Sequence, residues 1–464
     1  MRIFNGQDSE VAIASKNHSL SFQDLSQICS SQNNRFNKNR VYALVMHNDI
    51  VSALIYICLL NCDCTFVIVD PALMESNWSF INDLNIVDIL SSKEIKKEQI
   101  NVFNKNNIST YNLSFLEYKK ENPLRNPNNI ISKPSILLNT SGSSGKAKLV
   151  RLTYNNVISN TEAIIYSLRL NNKDSSISTL PFFYTYGLSI LNTHLYSGGT
   201  LYVTDNSIIT KDFIKELEDF RPTTISGVPS TYEIMKKLDY IHLKNNHIKK
   251  ITQAGGRLNN KIQQDIINLC KNRKSFFIMY GQTEATARIS CFDVTKNPKK
   301  IGSVGKALSN VNLEINKIQK ESSIGEIVVS GPSITPGYVN SLLDILKPIS
   351  HRFLRTGDLG YIDNEGFIYI TGRTSRFCKI NGKRLNLDLL ENQFALEEYA
   401  PIYIVSDDKN IFIFSIKHIN KRNISISGVH PSIIKLNKLN SIPLKANGKV
   451  DYNNLLELAT IRNI

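Results

Sequence analysis

Short apolar segments alternate with helical segments through about the first 370 residues, and this alternation constrains the fold more than any other feature. "RVYALVM" (40–46) and "SILLN" (135–139) read as buried strands. "DIVSALIYICLL" (49–60) and "YNNVISNTEAIIYSL" (154–168) have the length and spacing of helices, and Thr153 is a candidate N-cap for the second. Strands that alternate with helices are typical of layered α/β domains.

The pattern continues along the chain. A helix is predicted at "KDFIKELEDF" (211–220), and further strands are predicted at "SSISTLP" (175–181), "GTLYVTD" (199–205), "TTISGVP" (223–229), "ITQAGGR" (251–257) and "SFFIMYG" (275–281). After about residue 300, short strands separated by Gly-containing turns indicate a β-rich section, at "NVNLEINKI" (310–318), "GEIVVSG" (325–331) and "GYIDNEGFIYITGR" (360–373).

A smaller unit is predicted from residue 375 onward. It contains one helix, "NLDLLENQFALEE" (386–398), and a strand pair, "APIYIVSD" (400–407) and "NIFIFSIKH" (410–418). We therefore predict an α/β protein with two domains. Residues 1–374 form a large N-terminal domain of layered α/β subdomains plus the β-rich section, and 375–464 form a small, mobile α+β domain.

Charge, cysteine usage and hydropathy exclude several classes of protein. The net charge is +15, but the lysines are spread along the chain, so no nucleic-acid partner is predicted. The odd count of seven cysteines favours free thiols in a cytoplasmic protein. The most apolar stretch, residues 51–71, is interrupted by Asn61 and Asp63, which indicates a buried helix, turn and strand rather than an integral membrane segment.

The segment "NTSGSSGKAKLV" (139–150) follows a predicted strand directly. Glycines let backbone N–H groups approach an anion, and hydroxyls and lysines add donors and charge. Only two residues separate Gly142 from Gly145, and Ala147 follows Lys146, so this is not a Walker loop.

Four further motifs follow this loop in order: "YGQTEATA" (280–287), "RTGDLGYIDNEGFIYITGR" (355–373), "KINGKRLN" (379–386) and "LKANGKVD" (444–451). Together they resemble the adenylate-forming superfamily, which includes acyl- and aryl-CoA ligases, luciferase-like enzymes and adenylation domains of nonribosomal peptide synthetases. The resemblance implies ATP- and Mg²⁺-dependent activation of a carboxylic acid to an acyl-adenylate, with release of pyrophosphate and then transfer to a thiol.

The resemblance also implies residues that bind the nucleotide. The Gly-rich loop would hold the β- and γ-phosphates through Thr140, Ser141, Gly142, Ser143, Ser144, Gly145 and Lys148, although Ala147 and Leu149 replace the usual Pro and Gly. The adenine would be bound by Tyr280 and Gly281 and by the weaker match Ala254-Gly255-Gly256. Thr283 would contact the α-phosphate, Glu284 would bind Mg²⁺, and the ribose would be held by Asp358 and Arg373.

The C-terminal motifs resemble the moving parts of the family. Lys449 matches the catalytic lysine, whose long side chain brings a positive charge between the acid and the α-phosphate. Lys379 and Gly382 match the face that serves thioester formation. The pivot position of the family, normally Asp or Lys, is Ser375 here, which leaves the energetics of the hinge open.

The acid pocket is predicted from "LPFFYTYGLSI" (180–190) and the strand ends that follow, with Tyr184, Gly187, Val228 and Ala254 as its lining. No Asp stands in this segment to bind an α-ammonium group, which favours a plain carboxylic acid. Tyr184, Tyr186 and Ser230 are either polar contacts to a short or hydroxylated acid or packing residues.

The predicted acceptor is supplied by another molecule. No carrier-attachment motif follows residue 451, so the acceptor would be CoA or the phosphopantetheine of a separate acyl or peptidyl carrier protein. A stand-alone amino-acid-adenylating enzyme that loads a carrier and a non-catalytic nucleotide-binding relative are the alternatives. The identity of the acid, the acceptor, the pathway and the oligomeric state stay open.

Overall fold

The structure is a computed structural model, and it describes residues 3–461 except for 33–34, 73–79, 81–82, 87, 95–108, 113–134, 141–147, 271–272, 318–322, 348–352, 381–382, 397–401, 420–423, 427–428 and 445–449. The chain divides into two compact units. The first comprises residues 1–301, 305–312 and 329–354, and the second comprises 302–304, 313–328 and 355–464. The predicted domain boundary between residues 374 and 375 falls inside the second unit. That a mobile domain begins at this boundary stays a prediction.

Helices in the described residues are numbered α1 to α11. They are α1 Phe22–Gln32, α2 Ile50–Asn61, α3 Tyr154–Leu168, α4 Thr185–Tyr196, α5 Lys211–Phe220, α6 Pro229–Lys237, α7 Ile241–Lys244, α8 Asn260–Cys270, α9 Leu342–Leu346, α10 Leu387–Leu396 and α11 Tyr452–Ile461. Three short 3₁₀-helices are Thr283–Ala285, Pro298–Lys300 and Pro431–Ile433.

The first unit contains a seven-stranded sheet. Its strands, numbered in chain order, lie side by side as β18 Gly337–Val339, β8 Lys148–Thr153, β7 Ser135–Thr140, β4 Thr65–Val69, β3 Val41–Val45, β5 Asp88–Ser91 and β6 Ser109–Asn112. The strands from β7 to β6 in this order are parallel, whereas β8 and β18 are antiparallel to their neighbours. β3 and β4 are buried along their whole length, as parallel strands covered on both faces require.

The first unit also contains a nine-stranded sheet. Its order is β15 Lys306–Ala307, β14 Ser290–Asp293, β13 Ser275–Tyr280, β12 Lys250–Gln253, β11 Thr224–Gly227, β9 Ser175–Ile177, β10 Thr200–Tyr202, β1 Val11–Ala14 and β2 Ser19–Ser21. The six strands from β13 to β1 are parallel. Their carboxyl ends therefore meet at one edge of the sheet, which is where ligands bind in open α/β folds.

The second unit is built from smaller sheets. A four-stranded sheet has the order β16 Asn312–Lys317, β17 Gly325–Ser330, β19 Leu354–Ile362 and β20 Ile368–Arg373. A two-stranded ribbon follows, with β21 Phe377–Ile380 and β22 Lys383–Asn386. The last sheet has three strands, β23 Ile402–Ser406, β24 Ile411–Ser415 and β25 Ile434–Lys438.

Side chains of β24 alternate between two hydrophobic clusters. Ile411 and Ile413 pack in one cluster with α10, through Phe394, and Phe412 packs in the other with α11, through Leu455. Because successive side chains of a strand point to opposite faces, this sheet holds one helix on each side. The prediction of a small α+β unit at this end of the chain is consistent with this arrangement.

The predicted interruption of the most apolar stretch is confirmed. α2 ends at Asn61, Asp63 turns the chain with a positive φ of 53°, and β4 begins at Thr65. No helix in the described part of the chain is long and apolar enough to span a bilayer.

β8 was not predicted from the sequence. Thr153 is the N-cap of α3, as expected, and it forms a capping box with Asn156. The segment before it, Lys148–Thr153, pairs with β7 along its whole length. The Gly-rich loop therefore connects the two strands of a hairpin, and it does not lead directly into a helix.

We predict that removal of Asp88 destabilises the seven-stranded sheet. Arg40 Nη1 lies 2.8 Å from Asp88 Oδ2, and both side chains are at most 5% exposed. Asp88→Ala would leave a buried guanidinium without this carboxylate, at a cost of about 3–5 kcal/mol in the free energy of unfolding, measured by urea denaturation. The control is Asp205→Ala, whose 3.9 Å pair with Lys93 is exposed, and it should cost less than about 1 kcal/mol. Equal effects of the two variants would contradict the prediction.

Candidate nucleotide and acid site

Four neighbouring parallel strands carry the predicted site residues at their carboxyl ends. β9, β11, β12 and β13 are adjacent in the nine-stranded sheet. The segments that follow them therefore lie along a common edge of the first unit. These segments contain the predicted acid-pocket and adenine residues Tyr184, Gly187, Val228, Ala254, Gly255, Gly256 and Gly281, together with Thr283 and Glu284.

The β11 and β12 ends are held together by backbone contacts. The backbone N–H of Ala254 donates to the carbonyl oxygen of Gly227 at 3.3 Å. The Gln253 side-chain amide donates to the carbonyl oxygen of Gly256 at 2.8 Å. Val228, which is buried, precedes α6 directly. The predicted adenine-side loop and one wall of the predicted acid pocket are thus neighbours.

Gly281 lies where the chain crosses itself at close range. A Cβ atom at this position would lie 2.0 Å from the carbonyl oxygen of Ala287, so a side chain cannot be accommodated without movement of the backbone. The backbone of Thr286 reverses the chain between these residues, with φ of 66° and ψ of −50°. Ala287 N–H donates to the Ala285 carbonyl oxygen at 2.8 Å, which completes a γ-turn. This turn is rare and strained for a β-branched residue.

Side-chain contacts support the strained turn. The Thr286 hydroxyl donates to the carbonyl oxygen of Ser333 at 2.6 Å and is buried. Strain of this kind persists only where the surrounding structure over-determines it, and it concentrates at functional sites. The turn presents the 3₁₀-helix Thr283–Ala285 at the sheet edge.

Thr283 and Glu284 each contact a residue that the sequence did not single out. The hydroxyl oxygens of Thr283 and Thr185 lie 2.9 Å apart, which connects the nucleotide motif to the first turn of α4. The Tyr338 hydroxyl donates to Glu284 Oε1 at 2.9 Å. Tyr338 stands in β18, 54 residues from Glu284, so no local pattern in the sequence indicates the contact.

Tyr338 also contacts the end of the Gly-rich loop. The Lys148 ammonium lies 5.6 Å from the centre of the Tyr338 ring, within the range of a cation–π interaction. Partial burial and the neighbouring Glu284 carboxylate raise the pKa of Tyr338 to about 12. The hydroxyl is therefore a protonated donor at neutral pH. Tyr338 joins the predicted phosphate-binding lysine to the predicted Mg²⁺-binding carboxylate.

The predicted acid pocket includes the start of α4. A Cβ atom on Gly187 would lie 2.1 Å from the carbonyl oxygen of Pro181, so the first turn of this helix passes too close for any larger residue. Tyr186 is buried, and its hydroxyl oxygen lies 2.8 Å from the Thr252 hydroxyl oxygen. For Tyr186, the packing alternative is therefore the one observed.

In the second unit, the predicted ribose-binding residues lie opposite each other. Asp358 and Arg373 are paired positions on the antiparallel strands β19 and β20. Arg373 Nε donates to Asp358 Oδ1 at 2.8 Å, and the Asp358 side chain is 5% exposed whereas the Arg373 side chain is 60% exposed. The arginine thus holds a buried carboxylate in one orientation while its own polar end reaches the surface.

Ser375 occupies an exposed turn whose two sides are held by one carboxylate. Asp388 Oδ2 accepts from the backbone N–H of Arg373 at 2.9 Å, and Asp388 Oδ1 accepts from Arg376 Nε at 2.8 Å. Arg376 also contacts Glu391 at 2.5 Å and stacks on the Tyr452 ring, with its Cζ 3.8 Å from the ring centre. The predicted pivot is therefore exposed, and its flanking residues are fixed.

The remaining predicted residues lie in β21, at the end of β7 or outside the described part of the chain. Lys379 is exposed in β21, and its backbone N–H donates to Asp408 Oδ1 at 3.0 Å. Thr140 ends β7. The predicted residues outside the described part of the chain are Ser141, Gly142, Ser143, Ser144, Gly145, Gly382 and Lys449.

The sheet order and the grouped loops define a class of protein, a nucleotide-binding enzyme built on layered α/β sheets. A model of the family described as AMP-binding enzyme matches residues 6–339. The chain belongs to this family, within the adenylate-forming superfamily. The predictions of family, fold class and enzyme class are confirmed.

The chain is 30% identical over 352 residues to a 2-succinylbenzoate–CoA ligase of Listeria monocytogenes, an alignment that covers 70% of each protein. It is 26% identical over 390 residues to a D-alanine–D-alanyl carrier protein ligase of Bacillus cereus, which covers 76% of this chain and 77% of that protein.

Two solved structures share the fold. The O-succinylbenzoate coenzyme A synthetase of Bacillus subtilis, in complex with ATP and magnesium ion, has a TM-score of 0.75 and 21% identity, with 96% of each chain covered. An ATP-bound RpMatB-BxBclM chimera has a TM-score of 0.81 and 18% identity, with 99% of this chain and 98% of that chain covered.

We predict that Gly281→Ala disrupts the nucleotide edge. The new methyl group would meet a backbone carbonyl oxygen at 2.0 Å, so the loop must shift, and we expect a loss of stability of about 1–3 kcal/mol with weaker AMP binding. Differential scanning fluorimetry with and without AMP measures both effects. Gly256→Ala is the matched control, because its nearest contact is the Pro229 side chain at 3.2 Å, and it should cost less. A fully stable, AMP-binding Gly281→Ala protein would refute this assignment.

Proposed function

We propose that this chain is an AMP-forming acid–thiol ligase, which activates a carboxylic acid with ATP and transfers the acyl group to a thiol. The observation that carries the proposal is the cluster of Lys148, Tyr338 and Glu284 beside Thr283, in which a cation, a fixed carboxylate and a hydroxyl from segments of two sheets of the first unit lie close together. These are the groups that a triphosphate and its metal ion require.

The residues present fit Mg²⁺ bound through a nucleotide. Mg²⁺ usually takes one or two protein carboxylates and completes its ligands with phosphate oxygens and water. Glu284 supplies one carboxylate, oriented by the Tyr338 hydroxyl. Within the described residues, no group of three His, Cys, Asp or Glu is arranged to hold a metal ion by itself. When bound, the ion would neutralise phosphate charge.

The protein's own part is to position the substrates and screen their charge. The Thr283 hydroxyl, held against Thr185, would donate to the α-phosphate, and Lys148 would offset the charge of the outer phosphates. Asp358, oriented by Arg373, would accept from the ribose hydroxyls. Lys449 would bring a further positive charge to the approaching carboxylate. The products of this step are an acyl-adenylate and pyrophosphate.

The second step transfers the acyl group to a thiol, and Ser375 is the proposed pivot between the two steps. The exposed turn at Ser375, between residues anchored by Asp388, supports this role. The names of the relatives give two kinds of acceptor, CoA and a carrier protein, and the phosphates of CoA are anionic, which suits a protein of net charge +15. Assay of acyl transfer to free CoA distinguishes the two acceptors.

We place the protein in the cytoplasm. None of the seven cysteines, all of which the structure describes, forms a disulfide bond, which is typical of a reducing compartment. The substrate is a carboxylic acid, and no Asp occurs in residues 180–190 to bind an α-ammonium group, which favours a plain acid over an amino acid.

We predict that Lys449→Ala abolishes most acid-dependent pyrophosphate release. Loss of a charge that acts at the developing transition state typically costs at least about 100-fold in rate. A panel of short fatty, hydroxy, aryl and amino acids, assayed with ATP, measures the effect, and a thermal melt confirms that the variant is folded. No acid-dependent release by the unmodified protein would refute the proposed function and favour a non-catalytic nucleotide-binding protein.

We predict that Tyr338→Phe raises the Mg²⁺ concentration needed for half-maximal activity by about 10-fold, because the partner that orients the metal-binding carboxylate is lost. The ring that contacts Lys148 is retained in this variant. Tyr361→Phe is the matched control, because Tyr361 stacks on Tyr369 at 5.0 Å within the four-stranded sheet. An unchanged Mg²⁺ dependence in Tyr338→Phe would show that the Tyr338 hydroxyl does not orient a metal-binding carboxylate.

A further inference from the structure

Arg288 is a buried cation at the edge of the site, and no carboxylate among the described residues pairs with it. The residue is 4% exposed. Its Nη1 donates to the Ala287 carbonyl oxygen at 3.0 Å, and its Nε contacts the Met279 sulfur at 3.4 Å. Its Cζ lies 4.0 Å from the centre of the Tyr186 ring.

Two other buried arginines, Arg40 and Arg151, have different sets of partners. Arg40 pairs with the Asp88 carboxylate. Arg151 donates to three oxygen atoms, those of the Ser135 hydroxyl and the Asp344 and Lys347 carbonyls. A guanidinium has five N–H donors. Among the described residues, Arg288 has one carbonyl oxygen, one sulfur atom and the Tyr186 side chain as partners, and it has no carboxylate.

A buried cation that lacks a counter-ion is costly, and an anionic ligand that reached Arg288 would supply the missing charge. Burial lowers the pKa of Arg288, although an arginine remains charged at neutral pH. The stacked Tyr186 ring holds the guanidinium in place, and the Tyr186 hydroxyl is itself fixed by Thr252. The cation is therefore preorganised.

The position of Arg288 connects both halves of the site. A Cβ atom on Gly281 would lie 2.8 Å from the Arg288 Cα, so the arginine adjoins the nucleotide loop. Its stacking partner Tyr186 belongs to the start of α4, next to the predicted pocket residues Tyr184 and Gly187. A ligand group that reaches Arg288 would extend from the acid pocket.

We propose that Arg288 binds a second anionic group of the acid, so that the substrate is a dicarboxylate of which one carboxylate is activated and the other is recognised. This inference rests on the proposed function. It assigns a specificity-determining residue that none of the sequence motifs indicated. The other source of negative charge at this edge is the α-phosphate of ATP, and the experiment separates the two.

The test compares acids that differ only in the second carboxylate. The pairs are 2-succinylbenzoate with 4-oxo-4-phenylbutanoate, and adipate with hexanoate. Acid-dependent pyrophosphate exchange gives kcat/KM for each acid. We expect the unmodified protein to prefer the dicarboxylate of at least one pair. In Arg288→Gln, the ratio of kcat/KM between the two members should fall by about 30-fold or more, because a buried charge pair is lost.

Two further variants serve as controls. Arg288→Lys retains the charge and should recover part of the preference. Arg151→Gln also removes a buried arginine, in β8, and should leave the ratio unchanged even where stability falls. If Arg288→Gln fails to fold, Arg288→Lys decides the question: a ratio of kcat/KM below that of the unmodified protein supports the role of the guanidinium, and an unchanged ratio overturns it.

The outcomes separate the two proposals. If no acid supports exchange, the proposed function fails. If monocarboxylates are preferred over their dicarboxylate partners, the ligase assignment stands and the role of Arg288 is overturned. A rise in the KM for ATP in Arg288→Gln, equal for all acids and without a change in the ratio, would assign the arginine to the phosphate and also overturn it.

Discussion

The common carboxyl edge of β9, β11, β12 and β13 is the constraint on which the rest of the site depends. Parallel strands in register end at the same edge, so loops that are about 100 residues apart in the sequence become neighbours. The contact between Thr185 and Thr283, 98 residues apart, is a direct consequence. Without this alignment, the side chains of the motifs would be too far apart to form one site.

Close backbone approach keeps this edge rigid. At Gly187 and Gly281, an added Cβ atom would lie 2.1 Å and 2.0 Å, respectively, from the carbonyl oxygen of another residue. The strained γ-turn at Thr286 lies between Gly281 and Arg288, and it is held by a hydrogen bond to Ser333. Such strain is tolerated because several neighbours fix the same conformation. Rigid placement of donors lowers the cost of reorganisation when charge develops in a reaction.

Two arginines of the framework have carboxylate partners, and the buried arginine beside the predicted acid pocket has none among the described residues. In the second unit, Arg376 is surrounded by Asp388, Glu391 and the Tyr452 ring, so its charge is satisfied internally. In the first unit, Arg40 is satisfied by Asp88. Arg288 is not satisfied in this way among the described residues, and it is the one that adjoins the predicted acid pocket. The charge of a framework cation is offset within the fold, whereas a buried cation without a carboxylate can accept one from a ligand.

The sequence alone determined the α/β class, the order of most helices and strands, and the family, because these follow from local periodicity and from motifs of consecutive residues. β8 was missed because Thr153 was interpreted only as the N-cap of the next helix, and the mostly buried segment before it was not assigned to a strand. Tyr338, Thr185, Asp388 and Arg288 could not be found in this way. Tyr338, Thr185 and Asp388 matter because of partners that are distant in the chain, and Arg288 matters because it is buried without a carboxylate partner among the described residues. Only the tertiary structure decides which distant groups meet and which buried charges lack a counter-ion.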